Sequence, residues 1–75
     1  MVDRISALRL IREEHERAIS KFGKFHNAHE GWGVLREEYL ELEAEIMKKN
    51  RDIDLMRKEA IHVAAMALRF IIDVT

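Results

Sequence analysis

The chain has 75 residues, of which 13 are basic and 14 acidic, with a net charge of −1 and no cysteine. This length allows one domain, residues 1–75, and the lack of cysteine excludes disulfides and cysteine-based zinc sites. The balanced charge argues against binding to a nucleic-acid polymer, which requires a basic excess, but it is compatible with a small anionic substrate.

No long apolar run is present, and the first residues do not lead into an uninterrupted apolar segment. We therefore expect no membrane span, no signal peptide and a cytoplasmic protein. A core of this size rarely contributes more than about 3–5 kcal/mol to the free energy of folding. Oligomerisation or unusually good helix packing is therefore expected.

The absence of proline, the small number of glycines and the interleaving of charged residues with Leu, Ile and Ala favour an all-α fold. The first predicted helix runs from about Asp3, its N-cap, to about Phe22. Residues at spacings of three and four predict its buried face. They are Ile5, Leu8, Ile11, His15, Ala18, Ile19 and Phe22. Residues 23–31 are then predicted to form a loop or a frayed helix end.

The second predicted helix begins between Gly31 and Val34 and ends near Lys49. Its apolar stripe consists of Leu35, Tyr39, Leu42 and Ile46. Three carboxylates cluster beside this stripe, roughly 90–100° around the helix axis. They are Glu38, Glu41 and Glu45. These acids therefore border the core, whereas Glu37 points further away.

The third predicted helix runs from about Ile53 to about Val74, with Asp52 as its N-cap after a tight turn. It is apolar nearly all the way round, apart from a narrow polar stripe. That stripe consists of Glu59, His62, Arg69 and Asp73. Two helices of the same chain cannot cover such a surface, so we expect a homodimer or homotetramer. The small residues Ala60, Ala64 and Ala67 would permit close contact between helices.

Two pairs of side chains could build a metal site. Glu38 and Glu41 are neighbours on the second helix, and Glu59 and His62 are neighbours on the third. A short connection makes the two helices antiparallel, so the pairs can face each other. Three carboxylates and an imidazole would then meet, and clustered oxygen ligands suit hard divalent cations. The alternative is a solvated acidic helix face.

These residues also resemble the signature of a known family. The segments EEYLE (residues 37–41) and EAIH (residues 59–62) resemble the Glu-Glu-x-x-Glu and Glu-x-x-Asp motifs of MazG-type all-α nucleoside triphosphate pyrophosphohydrolases. The segment from residue 24 to 46 is similar to the small phage and prophage members. The resemblance implies a helical dimer or tetramer that binds Mg²⁺. It also implies cleavage of a nucleoside triphosphate between the α and β phosphates, which releases a nucleoside monophosphate and pyrophosphate.

The resemblance also implies roles for individual residues. Glu38, Glu41 and Glu59 would be metal ligands, and Glu37 would hold water or a second metal. His62 replaces the family's final Asp. Histidine is a poor ligand for Mg²⁺ and a good one for Mn²⁺, iron or zinc. His62 is therefore a candidate ligand, a candidate base or a sign of weakened catalysis, and the alternative is a structural histidine bonded to Glu38 or Glu41.

Cations would be needed for the remaining phosphate charge, and an aromatic ring could stack on the base. The phosphate candidates are Lys21, Lys24, Arg36, Lys58 and Arg69. The stacking candidates are Trp32, Phe25 and Tyr39, with packing in the core or at an interface as the alternative for Trp32.

Two other functions fit the same residues. The first is a non-catalytic helical oligomerisation module that retains the family fold, which the replacement by His62 favours. The second is a di-metal redox site, because Glu59-x-x-His62 has the spacing found in di-iron carboxylate bundles.

Overall fold

The computed structural model describes all 75 residues and contains three α-helices: α1 (Arg4–Phe22), α2 (Ala28–Ile46) and α3 (Ile53–Val74). The central element is α3, because both α1 and α2 pack against it, whereas α1 and α2 do not pack against each other. The predicted all-α class is confirmed. None of the three helices combines the length and the apolar character needed to cross a membrane.

The starts of α1 and α3 are set by aspartate caps. A carboxylate oxygen of Asp3 accepts a hydrogen bond from the backbone N–H of Ser6 at 2.7 Å. Asp52 accepts from the backbone N–H groups of Asp54 and Leu55 at 2.9 and 3.1 Å. Each cap satisfies donors that have no partner within the helix and so stabilises the first turn. The predicted bounds of α1 and α3 are confirmed.

The predicted bounds of α2 are wrong at both ends. The helix begins at Ala28 because Asn27 caps it, accepting from the backbone N–H of Glu30 at 2.8 Å. The Glu30 carboxylate in turn accepts from the backbone N–H of His26 at 3.1 Å, in a reciprocal arrangement related to the capping box. The helix ends at Ile46, whose carbonyl accepts from the Arg51 guanidinium at 2.9 Å.

Gly31 lies inside α2 and is buried where this helix meets α3. A Cβ atom at this position would come within 2.8 Å of Cδ2 of Phe70 and 3.1 Å of Cδ2 of Phe25. Gly33, two residues later in the same helix, has open space around its Cα atom. The small size of Gly31 therefore allows the close approach of α2 to the aromatic side chains beside it.

This contrast predicts opposite effects of the same substitution. Gly31→Ala should lower the free energy of unfolding by about 1–2 kcal/mol, because crowding against Phe70 outweighs the better helix propensity. Gly33→Ala should raise it by about 0.5–1 kcal/mol. Chemical denaturation at one protein concentration measures both. Stabilisation by Gly31→Ala would show that the helices do not approach as described.

The core of the isolated chain is small, since only six of the 75 residues are buried. Its apolar members are Ala18, Phe25, Ala65 and Met66. Most of the predicted buried face of α1 is instead open, with Ile5 82% and Phe22 63% exposed. Of the predicted face only Ala18 is fully buried, because the helix turns the side that carries Ala18 and the neighbouring Glu14 toward α3. Much apolar surface therefore stays uncovered.

The loop between α1 and α2 is tied to α3 by two polar side chains. Arg69 is only 3% exposed; it donates to the carbonyl of Gly23 at 2.9 Å and lies 4.0 Å from the ring centroid of Phe25. Asp73 accepts from the backbone N–H of Phe25 at 3.0 Å. The polar stripe predicted on α3 therefore serves partly to anchor this loop.

Candidate metal centre

The two predicted pairs of side chains meet at one place on the surface of the bundle. Glu38 and Glu41 extend from α2, and Glu59 and His62 extend from α3. One potential ligand atom from each of the four residues lies within 4.8 Å of the other three. The antiparallel packing of α2 and α3 produces this arrangement, because it places two i, i+3 pairs opposite each other.

The imidazole of His62 is at the centre of the cluster. Its Nδ1 atom lies 3.5 Å from Oε2 of Glu38 and 3.7 Å from Oε2 of Glu59. The side chains of these three residues are largely buried, with exposures between 15% and 22%. Glu41 is exposed. The cluster is therefore a half-enclosed recess that opens toward solvent on the side of Glu41.

Two oxygens in this recess have no hydrogen-bond donor. Oε2 of Glu38 and Oε2 of Glu59 are both buried and unpaired. Burial, followed by the negative charge of Glu41, raises the pKa of Glu38 above its ordinary value. Most buried polar atoms in folded proteins have a partner, so unpaired carboxylate oxygens are unfavourable. A divalent cation would supply both the missing partner and the missing positive charge, so these residues fit such an ion.

The donor set indicates which cations fit best. Three carboxylates suit Mg²⁺ and Mn²⁺ alike, whereas an imidazole nitrogen favours Mn²⁺, iron or zinc over Mg²⁺. His62 would therefore bias any cation held here toward a softer ion than three carboxylates alone would prefer.

Two residues of α1, Glu14 and Arg17, also lie at this site and were not predicted from the sequence. Oε2 of Glu14 lies 3.8 Å from Nε2 of His62, on the side of the ring away from Glu38. Arg17 holds Glu14 with a forked pair of hydrogen bonds of 2.9 and 2.6 Å. These bonds, more than any other contact, lower the pKa of Glu14. Glu14 could have been found from its position one helical turn before Ala18, a residue of the predicted buried face.

Two clefts adjoin the cluster and contain further charged residues. A cleft of about 370 Å³ is lined by Glu37, Glu38, Arg17 and Arg69, among others. A second, of about 540 Å³ between α1 and α3, is lined by residues that include Lys58. His62 and Glu14 line both clefts. Glu37 and Lys58 therefore lie beside the cluster, whereas the guanidinium of Arg69 is already engaged with the loop.

Phe25, a stacking candidate, is buried and lines the cleft of about 370 Å³. The remaining candidates for phosphate or base contacts lie elsewhere. Trp32 and Arg36 line an apolar groove of about 450 Å³ along α2 and α3, together with Tyr39. The ammonium group of Lys21 lies 5.2 Å from the ring centroid of Phe22. Lys24 lines a separate cleft near the end of α3. None of these five residues lines either cleft beside the cluster.

Comparison with known proteins does not identify a family. No protein-family model matches the chain, and no curated protein or solved structure is significantly similar to it. The resemblance to MazG-type enzymes therefore depends on two short motifs alone.

Proposed function

We propose that this chain is a divalent-metal-dependent nucleoside triphosphate pyrophosphohydrolase, which releases a nucleoside monophosphate and pyrophosphate. The observation that supports it most is the convergence of Glu38, Glu41, Glu59 and His62, whose potential ligand atoms lie within 4.8 Å of one another. The resemblance of the segments at residues 37–41 and 59–62 to MazG-type motifs suggests the reaction class.

These four residues would hold Mg²⁺ or Mn²⁺. When bound, such a cation neutralises phosphate oxygens and lowers the pKa of a coordinated water. The protein fixes its ligands on two packed helices, and this limits the motion of the side chains relative to one another. The exposed Glu41 marks the side from which a triphosphate can approach.

Other residues in the two clefts have roles that follow from their charge. Glu37 lines the same cleft as Glu38, where its carboxylate can accept a proton from the attacking water. Lys58 supplies positive charge beside the cluster for phosphate oxygens. Arg69 keeps the α1–α2 loop in place and so maintains the wall of the cleft. In the reaction, water attacks phosphorus in line and the α–β anhydride bond breaks.

The direct test is an assay for pyrophosphate with the common ribo- and deoxyribonucleoside triphosphates. Release should require added Mn²⁺ or Mg²⁺ and stop with a chelator. A helical, correctly assembled protein that releases no pyrophosphate from any of them would refute the proposed activity. If added metal still raised the melting temperature, a non-catalytic metal-binding module would be the better description.

We also propose that the protein acts as a homodimer or homotetramer. The surface of α3 away from the cluster carries small residues, including Ala64 and Ala67. Beside it lies the apolar groove lined by Trp32 and Tyr39, which are 58% and 55% exposed. Exposed apolar surface of this kind is typical of protein interfaces. A second copy of the chain is the simplest partner, because it exposes the same apolar surface and a two-fold contact would bury both copies of that surface at once.

Tyr39→Glu should disrupt this assembly, because it places a charge in the groove where the proposed contact excludes water. Light scattering after size exclusion should show a smaller particle than for the wild-type protein. Met47→Glu is the matched control, because Met47 is 73% exposed in the turn after α2 and should leave the mass unchanged. A monomeric wild-type protein at high concentration would contradict the proposed assembly.

A further inference from the structure

The two nitrogens of His62 face different groups of carboxylates. Nδ1 faces Glu38 and Glu59, whose Oε2 atoms are buried and unpaired. Nε2 faces Glu14 on α1 at 3.8 Å, which is within ion-pair range but longer than a hydrogen bond. One nitrogen therefore points into the recess, and the other points toward a single acid outside the set of proposed ligands.

The position of Glu14 is itself fixed. Arg17 contacts both carboxylate oxygens of Glu14 through Nε and Nη2. Forked contacts of this type between a guanidinium and a carboxylate restrict the orientation of both groups. The Glu14 side chain is also only 14% exposed, which limits the alternative positions that it can take. The negative charge of Glu14 is therefore held in a defined position beside Nε2, where α1 packs against α3.

We propose that Glu14 is a positioning residue that holds the imidazole proton of His62 on Nε2 when a cation occupies the recess, so that Nδ1 presents its lone pair to the cation and the site prefers Mn²⁺ to Mg²⁺. The proposal depends on the metal site described under the proposed function. Without a cation, Nδ1 faces two carboxylates at 3.5 and 3.7 Å and would hold the proton itself. Once a cation neutralises Glu38 and Glu59, Glu14 is the remaining carboxylate beside the ring, and an N–H dipole pointing at it is favourable whereas a lone pair pointing at it is repelled. The group that contacts one ring nitrogen determines which nitrogen binds metal.

The consequence for metal choice follows from the strength of the nitrogen ligand. A carboxylate beside the far N–H makes the imidazole a better donor. The stronger nitrogen donor raises the affinity for cations that bind nitrogen well, such as Mn²⁺ and Zn²⁺. It raises the affinity for Mg²⁺ much less, because Mg²⁺ prefers oxygen ligands and retains its bound water. Loss of Glu14 should therefore lower the affinity for Mn²⁺ more than the affinity for Mg²⁺. Loss of a purely structural residue, or of a negative charge that acts only at long range, would change both affinities equally.

The first experiment identifies the bound nitrogen directly. Long-range ¹H–¹⁵N correlation spectra of the wild-type protein with the diamagnetic ion Zn²⁺ report the state of each histidine nitrogen, and His62→Asn assigns the His62 signals. We expect a protonated Nε2 and a metal-bound Nδ1. Zinc bound to Nε2, or a His62 ring unaffected by zinc, would overturn the proposal.

The second experiment measures affinity by calorimetry for Mn²⁺ and Mg²⁺ separately. Glu14→Gln should weaken Mn²⁺ binding by about tenfold or more, the range found for outer-shell carboxylates, with a clearly smaller change for Mg²⁺. Glu16→Gln removes the same charge from the same helix, where Glu16 is paired only with the exposed Arg12, and should change neither affinity. Thermal unfolding without metal confirms that both variants remain folded.

The possible outcomes separate this inference from the proposed activity. Equal losses for both cations in Glu14→Gln, or no loss, would overturn the role of Glu14 while leaving the activity intact. Selective loss of Mn²⁺ affinity together with an absence of pyrophosphate release by the wild-type protein would support the role of Glu14 and refute the activity. A wild-type protein that binds neither Mn²⁺ nor Zn²⁺ would refute the inference and the metal site together.

Discussion

Glu59→Gln should remove divalent-cation binding and pyrophosphate release while leaving the fold intact. Glu59 supplies one of the two buried oxygens that have no hydrogen-bond partner, and its side chain is only 15% exposed. The amide keeps the size of the side chain but removes the charge that attracts the cation. We expect Mn²⁺ affinity to fall by more than the roughly 10–100-fold that is typical when a residue bonded to a metal ligand, rather than the ligand itself, is replaced. Calorimetry and the pyrophosphate assay measure the two effects.

The stability of the metal-free variant provides a second, independent readout. Glu59→Gln removes one negative charge from a cluster that contains three, so the metal-free protein should melt at the wild-type temperature or above it. Added Mn²⁺ should raise the melting temperature of the wild-type protein and not that of the variant. Glu43→Gln, at an exposed position on α2, is the control. Wild-type Mn²⁺ affinity in Glu59→Gln would show that this carboxylate is not a ligand.

His62→Asp should change the metal preference of the proposed enzyme from Mn²⁺ toward Mg²⁺. The substitution replaces a nitrogen donor by an oxygen donor at the position where the MazG-type motif has Asp. Because Mg²⁺ binds oxygen and avoids imidazole, the ratio of Mg²⁺ to Mn²⁺ affinity should rise by roughly tenfold. Calorimetry gives the ratio, and pyrophosphate release with each cation gives the corresponding activities.

The same substitution should lower stability in the absence of metal. A fourth carboxylate would stand beside Glu38 and Glu59, and Glu14 would lose the imidazole that it faces. His62→Asn is the control, because it supplies a neutral oxygen donor without the added charge. An unchanged ratio of Mg²⁺ to Mn²⁺ affinity in His62→Asp would show that His62 does not bind the cation, even if both affinities fell.

The part of the site that could be predicted depends on local spacing. The i, i+3 pairs Glu38–Glu41 and Glu59–His62 each lie on one helix, and a short connection forces the two helices to be antiparallel. These facts suffice to predict that the four side chains face one another. The aspartate caps at residues 3 and 52 were likewise visible as local patterns. The start of α2 was also locally encoded, by Asn27 and Glu30, but the glycines that follow obscured it.

The contribution of α1 could not be predicted, because it depends on how that helix is rotated against α3. Its strongest apolar periodicity runs through Ile5, Leu8 and Phe22, all of which are more than half exposed. The helix instead presents the neighbouring face with Glu14 to the site. Amphipathic periodicity reports which surface is apolar, but it does not identify the partner that covers it. An oligomer interface would account for the apolar residues that the isolated chain leaves exposed.

A crystal structure grown with Mn²⁺, with the ion located by its anomalous scattering, would test the central claim most directly. In the proposed arrangement, carboxylates from α2 and α3 and one nitrogen of His62 bind a single cation. We expect an Mn²⁺ peak at coordination distance from Glu38, Glu41, Glu59 and Nδ1 of His62. A peak at other residues only, or a cluster that stays free of Mn²⁺ in crystals soaked to saturation, would contradict it.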